Sequence, residues 1–379
     1  MAADRSPKAP RRPTISDVAR RAGVSTGTVS RYLNGGHWVS AESTRSITRA
    51  IRETGYVANS TARQLRTGRS GTVAFIVDEP PARFFEDPNF EALVIEVGQA
   101  LAARDQTMVL LLAGDEESAQ RAETFLRTSG VDGAVTASAQ PGHHLFERIQ
   151  AAGIPLVNVG SPTDPGDHIA FVAADDREGS RLMAEHLLEQ GARQLAVIAG
   201  PEHTPGGTLR LRAFNDAVDA ARREGAARPA GETQPEGAAR PEGESSAEGE
   251  TQGEGGAPRV VAVQHGDFTA DSGRDAARAI LEEHPRVDAI FAANDRMARG
   301  AIEVLRAAGR EIPGDVLVGG FDDSAGAGTE EPRLTTVRQD FRRIAAELVD
   351  ALGKQLDGGV RANVVVPVQL VVRDSTVRR

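Results

Sequence analysis

The chain has 379 residues, 40% of them hydrophobic, no cysteine and a formal net charge of −10. That length and apolar share predict two or three globular domains, and the lack of cysteine excludes disulfide frameworks, thiolate zinc sites and cysteine nucleophiles. No window approaches about eighteen uninterrupted apolar residues and the N-terminus has no apolar run, so a soluble cytoplasmic protein without membrane span or signal peptide is expected.

Charge is unevenly spread. Residues 1–69 hold thirteen Lys and Arg against four Asp and Glu, a net of +9, which leaves −19 on the remainder. A basic head on an acidic body is the footprint of a nucleic-acid contact confined to one end, and a disordered solvating tail would give the same asymmetry.

In chain order, residues 1–13 read as a disordered basic tail. Ile15, Val18 and Ala19 then fall on one face of a short helix. Thr14 with Asp17 has the form of a capping box, and Gly23 breaks the helix. Ser25 offers a second N-cap, and Val29, Tyr32 and Leu33 trace a second apolar face. A third helix follows, with Ser40 as cap, Ile47, Ala50 and Ile51 as its face and Gly55 as its stop. Two short helices joined by a Gly-containing turn describe a helix-turn-helix. In that geometry the outward residues at the start of the second helix meet base edges: Thr26, Gly27, Thr28, Ser30 and Arg31. Arg31 can fork to guanine O6 and N7. The same pattern also fits a three-helix bundle with a solvated basic face. Residues 59–70, NSTARQLRTGRS, are too short for a stable isolated helix. Its lone Leu65 among arginines fits either a minor-groove wedge or an ordinary basic linker.

The run T-I-x-D-V-A-x-x-A-G-V-S-x-x-T-V-S-R-x-L-N-G, followed by V-S, T-R, A-I, G-Y and A-R-x-L, resembles the DNA-binding headpiece and hinge of the LacI/GalR family of bacterial repressors. The match is near-continuous from Thr14 to Ser70. The resemblance implies a headpiece over 14–58 and a hinge over 59–70, with Ile15 to Ala22 and Thr26 to Asn34 as the paired helices. Thr26, Gly27 and Arg31 would face bases, within a DNA-binding set completed by Thr14, Ser25, Thr28, Ser30, Asn34 and Tyr56. It also implies a hinge helix that folds on operator DNA, where Asn59, Ala62 and Leu65 bind and Leu65 levers open a base step. The Thr26–Gly27 pair is small where many members carry larger side chains.

From Gly71 onward, short apolar runs alternate with amphipathic stretches. TVAFIV (72–77), MVLLLA (108–113), GAVTA (133–137), IPLVNV (154–159), QLAVIAG (194–200), VVAVQH (260–265) and AIFAAN (289–294) read as buried parallel strands. Helices are expected over Phe90 to Arg104 and Glu178 to Gln190. This is the signature of a doubly wound α/β sheet, which places ligands beyond the carboxyl ends of its strands. Asn158, Asn294, Asp295, Asp322 and Asp323 stand at such ends, and Arg210 and Arg212 follow AGPEH. Carboxylates, amides and arginines around a cleft suit hydrogen bonding to sugar hydroxyls, while an Asn or Asp just past a strand is equally a turn former or helix cap.

AGP, R-L-x-A-F, A-N-D-x-M-A-x-G-A, G-F-D-D and P-x-L-T-T-V-x-Q-D continue the resemblance into the family's effector-binding core. That core resembles a two-lobed periplasmic sugar-binding protein. The resemblance implies an N-lobe near 71–170 and 339–366, a C-lobe near 171–338 and 367–379, and three crossing strands. Arg210, Asn294 and Asp322 would grip effector hydroxyls, joined by Asn158 and Gln339. Phe90 is the candidate for packing on a sugar ring, with Phe85 and Phe291 behind it. The stretch DEPPARFFEDPNF after the first strand departs from the commoner short version.

No catalytic constellation is legible. DDREGSRLMAEHL lacks H-E-x-x-H spacing, His143–His144 reads as a loop pair, and no G-x-S-x-G or phosphate-binding glycine loop appears. No metal, cofactor or enzymatic activity is expected. Residues 224–258 hold a decaying repeat, EGAARPAGETQP then EGAARPEGESSA, expected to be a disordered insertion. No apolar heptads precede Arg379, so the expected assembly is a homodimer on double-stranded palindromic operator DNA, answering to a small carbohydrate-like effector. A free sugar-binding carrier with an incidental basic tail is the alternative, and it would need a secretion signal.

Overall fold

The computed structural model describes residues 13–33, 38–56, 68–138, 144–161, 169–227 and 257–378. The chain divides into two units, Met1–Ser70 and Gly71–Arg379. In the first, helix α1 (Ile15–Ala22) begins where the Asp17 carboxylate accepts from both the Thr14 N–H and the Thr14 hydroxyl. It ends at Gly23, whose φ of 70° is the left-handed turn that glycine takes without strain. Helix α2 (Thr26–Leu33) and helix α3 (Ala41–Thr54) follow, α3 capped by the Ser40 hydroxyl. Val18, Ala19, Val29, Ile47 and Ala50 bury into one small core, with Tyr32, Leu33 and Tyr56 packed at its edge.

The second unit contains two six-stranded sheets. Strands β1 (Thr72–Val77), β2 (Thr107–Leu112), β3 (Gly133–Ala137), β4 (Leu156–Val159), β5 (Ala170–Ala174) and β11 (Val364–Val366) form the first, in the order β11-β5-β4-β3-β1-β2. Strands β6 (Gln194–Ala199), β7 (Arg259–His265), β8 (Ala289–Ala292), β9 (Leu317–Asp322), β10 (Thr335–Arg338) and β12 (Gln369–Val371) form the second, in the order β12-β10-β9-β8-β6-β7. Every pairing is parallel except β10 with β12. Helices α4 (Pro81–Glu86), α5 (Pro88–Ala102), α6 (Glu116–Thr128), α7 (Leu145–Ala151) and α12 (Phe341–Leu356) accompany the first sheet. Helices α8 (Asp176–Glu189), α9 (Pro205–Ala227), α10 (Ala270–Glu283) and α11 (Asp295–Ala307) accompany the second. These are the N-lobe and the C-lobe. The chain passes between them three times, from β5 to α8, from β10 to α12 and from β11 to β12.

The seven strands expected from apolar runs are present. Two of them, β2 and β7, stand at sheet edges and are half-exposed rather than buried, because among the described residues each has a neighbour on one side only. β9 is the run whose carboxyl end was expected at Asp322, and four further strands fall outside the expected set: β5, β10, β11 and β12. β10 is the polar run TTVR, and β11 and β12 are three residues each, too short to show a period. Helix α9 runs to Ala227, four residues into the expected insertion, as the Ala and Glu there favour helix. Residues 228–256 of that insertion lie outside the described residues, as do residues 1–12 of the expected basic tail and Asn34, Asn59, Ala62, Leu65 and His143.

Candidate functional site

In the first unit, burial of Val29 turns Ser25, Thr26, Gly27 and Arg31 outward. The Ser25 hydroxyl accepts from the Thr28 N–H at 3.1 Å and shares a hydrogen bond with Thr28 Oγ1 at 2.9 Å, so this pair also starts the helix. A Cβ at Gly27 would lie 3.9 Å from Arg31 Nη2, ordinary van der Waals contact, so the guanidinium lies back along the helix beside this position. Arg31 forms no ion pair among the described residues, while Arg20 and Arg21 are paired with Asp17 and Glu53. Thr28 and Ser30 are half-buried, and Thr14 is engaged with Asp17. Tyr56 packs against the core, leaving only part of its surface for a ligand.

In the second unit, the carboxyl ends of the strands converge on a cavity of about 380 Å³ between the lobes. Phe90, Asn158, Arg210, Asn294, Asp322 and Gln339 all line it. The buried Arg210 is its fulcrum. Its Nε donates to Asp176 at 2.7 Å, and its Nη1 donates to the Ala293 carbonyl at 2.6 Å and to Asp322 at 3.4 Å. The guanidinium sits 3.6 Å over the Phe321 ring, a cation–π seat that fixes its plane. Asp322 accepts from Gln339 at 2.7 Å and from Asn89 of the N-lobe at 2.7 Å. Its φ of 110° is strained for a residue with a Cβ, costing on the order of 1–3 kcal/mol, and such strain persists only where surrounding bonds enforce it.

Burial holds the Asp322 carboxyl above the ordinary carboxylate range; the Arg210 charge pulls it back and the Asp87 charge adds to the rise. Burial likewise raises Asp87, against the pull of the Asn89 amide and of Arg296, Arg83 and Arg210. Asp295, behind the cavity, is raised by burial and then by the Asp322 charge, although Thr336 and Ser324 donate to it. Carboxylates held this way gain most from added O–H donors, the groups a sugar presents in number.

The two asparagines have a different character. Asn294 caps α11 through the Met297 N–H at 2.9 Å and donates to the Phe268 carbonyl at 3.0 Å. Asn158 accepts from Thr136 and donates to the Val159 and Gly160 carbonyls. Both amides are occupied in shaping the cavity wall. Phe90 rests on Phe84, with ring centroids 5.7 Å apart. Neither Phe85 nor Phe291 stands behind it: Phe85 is exposed, and Phe291 stacks on Phe214 in the C-lobe core. Arg212 is exposed on α9, and Asp323 is held by Arg338 and Arg373. The sequence reading missed Asn89, Asp176, Asp87, Glu79 and Arg83, all of which line the cavity. Asp176 lies two residues past the carboxyl end of β5 and opens α8, the place where such a sheet presents ligand contacts.

Residues 14–59 match the family described as bacterial regulatory proteins, lacI family. Residues 70–228 match the periplasmic binding proteins and sugar binding domain of the LacI family, and residues 184–376 a periplasmic binding protein-like domain. The HTH-type transcriptional regulator CelR of Thermobifida fusca is 36% identical over 368 residues, covering 96% of this chain and 98% of that protein. A ribose operon repressor of Halalkalibacterium halodurans is 29% identical, covering 96% and 97% respectively. Among solved structures, a CelR–cellobiose complex matches with a TM-score of 0.68 at 34% identity, over 96% of this chain and all of that one. A lac repressor dimer bound to operator shares the fold, with a TM-score of 0.77 at 24% identity over 97% of this chain and all of that one. With a helix-turn-helix unit, a two-lobed core and full-length relatives that are DNA-binding transcription regulators, the chain belongs to the LacI family of bacterial regulatory proteins.

Proposed function

We propose that the protein is a sequence-specific transcriptional repressor that binds a palindromic operator as a homodimer and is released or retained by an uncharged sugar held between the core lobes. The observation that carries this reading is the convergence of Arg210, Asp322 and Gln339 with the N-lobe's Asn89 and Phe90 on one cavity. Its volume falls within the roughly 300–1,000 Å³ of small-molecule sites. Five carboxylates line it, from Glu79, Asp87, Asp176, Asp267 and Asp322, against the guanidiniums of Arg83 and Arg210. Such an acid excess repels a phosphorylated ligand and suits neutral hydroxyls. The cellobiose complex of the relative CelR supports the same class of ligand.

In this reading Thr26, Gly27 and Arg31 read bases, Ser25, Thr28 and Ser30 contact the DNA backbone, and residues 59–70 order on the operator with Leu65 as wedge. Thr14, Asn34, Tyr56, Asn59 and Ala62 complete the DNA-facing set. The exposed Ile95 and Leu110 near the open edge of β2 support pairing of two copies. Effector binding shifts the population between two lobe arrangements with different operator affinity. The test is a thermal-shift screen against neutral sugars, sugar phosphates and nucleobases, then titration of a palindromic duplex selected from a random pool, with and without the hit. Absence of any duplex preferred over scrambled DNA sinks the regulator, and a preference for sugar phosphates sinks the uncharged ligand.

A further inference from the structure

The segment between β1 and α5, residues 78–87, reaches from the N-lobe to the C-lobe at the mouth of the cavity. Its base is fixed: a Cβ at Gly114 would lie 2.3 Å from the Glu79 carbonyl oxygen, so strand β2 ends directly beneath it. Pro80 and Pro81 set the start of α4, Phe84 anchors its inner face in the N-lobe core, and Asp87 caps α5 through the Asn89 N–H at 2.9 Å. From this rigid base two side chains cross the gap. The Arg83 guanidinium donates to the Asp267 carbonyl in the C-lobe's β7–α10 connection, and its Nε lies 3.6 Å from the Glu79 carboxylate. Glu86 lies 3.5 Å from Arg296 in the first turn of α11, and Arg296 leaves its Nη1 buried without a partner. Just beyond, Asn89 donates to Asp322.

We infer that Arg83, Glu86 and Arg296 are positioning residues of the effector site: they form a clasp that holds the lobes together across the cavity mouth and sets how long an effector stays. The inference rests on the reading of the cavity as an effector site. Both charged crossings spring from one short, doubly anchored helix. Neither crossing is occupied in shaping the cavity floor, where Arg210 and Asp322 do the gripping. The Arg296 guanidinium is drawn to Asp87 as well as to Glu86, and its 3.5 Å contact with the exposed Glu86 is long for a hydrogen-bonded pair, so this crossing can open without stranding the buried cation, which a gate requires and a permanent brace does not.

The chain contains no cysteine, so Glu117→Cys on α6 and Glu282→Cys on α10 place a dye on each lobe of the full-length protein without competing thiols. Energy transfer between the dyes then reads lobe separation with no ligand needed. Glu86→Arg and Arg296→Glu, each alone, should widen or broaden the distance distribution, and the two together should restore it, because the swap rebuilds the pair with its charges exchanged. Arg83→Met should widen it as well. With cellobiose as the probe, the single variants should raise its dissociation rate by about three- to tenfold while leaving its association rate nearly unchanged. Unchanged distances in every variant, or a double swap no better than either single, overturns the clasp whatever the ligand proves to be. Altered distances with cellobiose leaving wild type and variants at one rate overturn its role in retention. Failure of cellobiose to bind wild type counts against the proposed ligand class, and the distance measurement still decides the clasp.

Discussion

At the scale of single residues, Asp322 concentrates the chemistry of the core. Strain, burial and three donors meet on one carboxylate. Asp322→Asn keeps the shape and tolerates the backbone, yet removes the charge that faces Arg210. Effector affinity measured by calorimetry should fall about tenfold or more, which is about 1.4 kcal/mol, while the melting temperature of the free protein changes little. Its neighbour Asp295 predicts a pH effect. Both carboxyls hold their protons more tightly when folded than an unfolded chain would. Their favourable contribution is therefore complete below the ordinary carboxylate range and is lost as pH rises through their elevated folded values. Melting temperature should fall as buffers are changed from mildly acid toward alkaline, and Asp295→Asn should flatten that slope. A slope of equal size in the variant would assign it to other groups.

At the scale of elements, the sequence was most transparent where a periodic face was long enough to count. α1, α2 and α3 were legible down to their caps, because Thr14, Ser25 and Ser40 each do locally what their hydroxyls suggest. β10 was illegible because its stability comes from neighbours β9 and β12 rather than from its own TTVR. The six cavity residues chosen from sequence do meet, but the pattern could not distinguish a gripping side chain from a shaping one. Asn158 and Asn294 have spent their amides on backbone, whereas Asn89, hidden inside an atypical segment, makes the cross-lobe bond. α2 carries its own prediction. Arg31→Ala should weaken binding to the selected operator and relax discrimination at one base pair by about 1–3 kcal/mol, read by competition with single-base variants. Leu65→Ala should weaken selected-operator binding more than random-duplex binding; equal losses would count against a wedge.

At the scale of the whole molecule, open edges matter most. Among the described residues β2 and β7 each end a sheet without a further partner strand, and Ile95, Leu110 and Val263 are exposed large apolar side chains on or beside them. Bare edges of this kind invite a second chain. Ile95→Asp should shift sedimentation from dimer toward monomer and cut operator affinity more than it cuts effector affinity. Affinity for DNA should also fall steeply with salt, since the positive charge is concentrated in residues 1–69.

The three short passages between the lobes have a mechanical corollary. Asp176 opens the helix just past the first passage and Gln339 lies within the second, and these two hold Arg210 and Asp322 respectively. The side chains that steer the gripping pair are thus mounted on the axle itself. On the proposed effector mechanism, a swing of the lobes would carry Asp176 and Gln339 with it, so the cavity would re-aim its own fingers as it shuts, and occupancy and posture would become one variable.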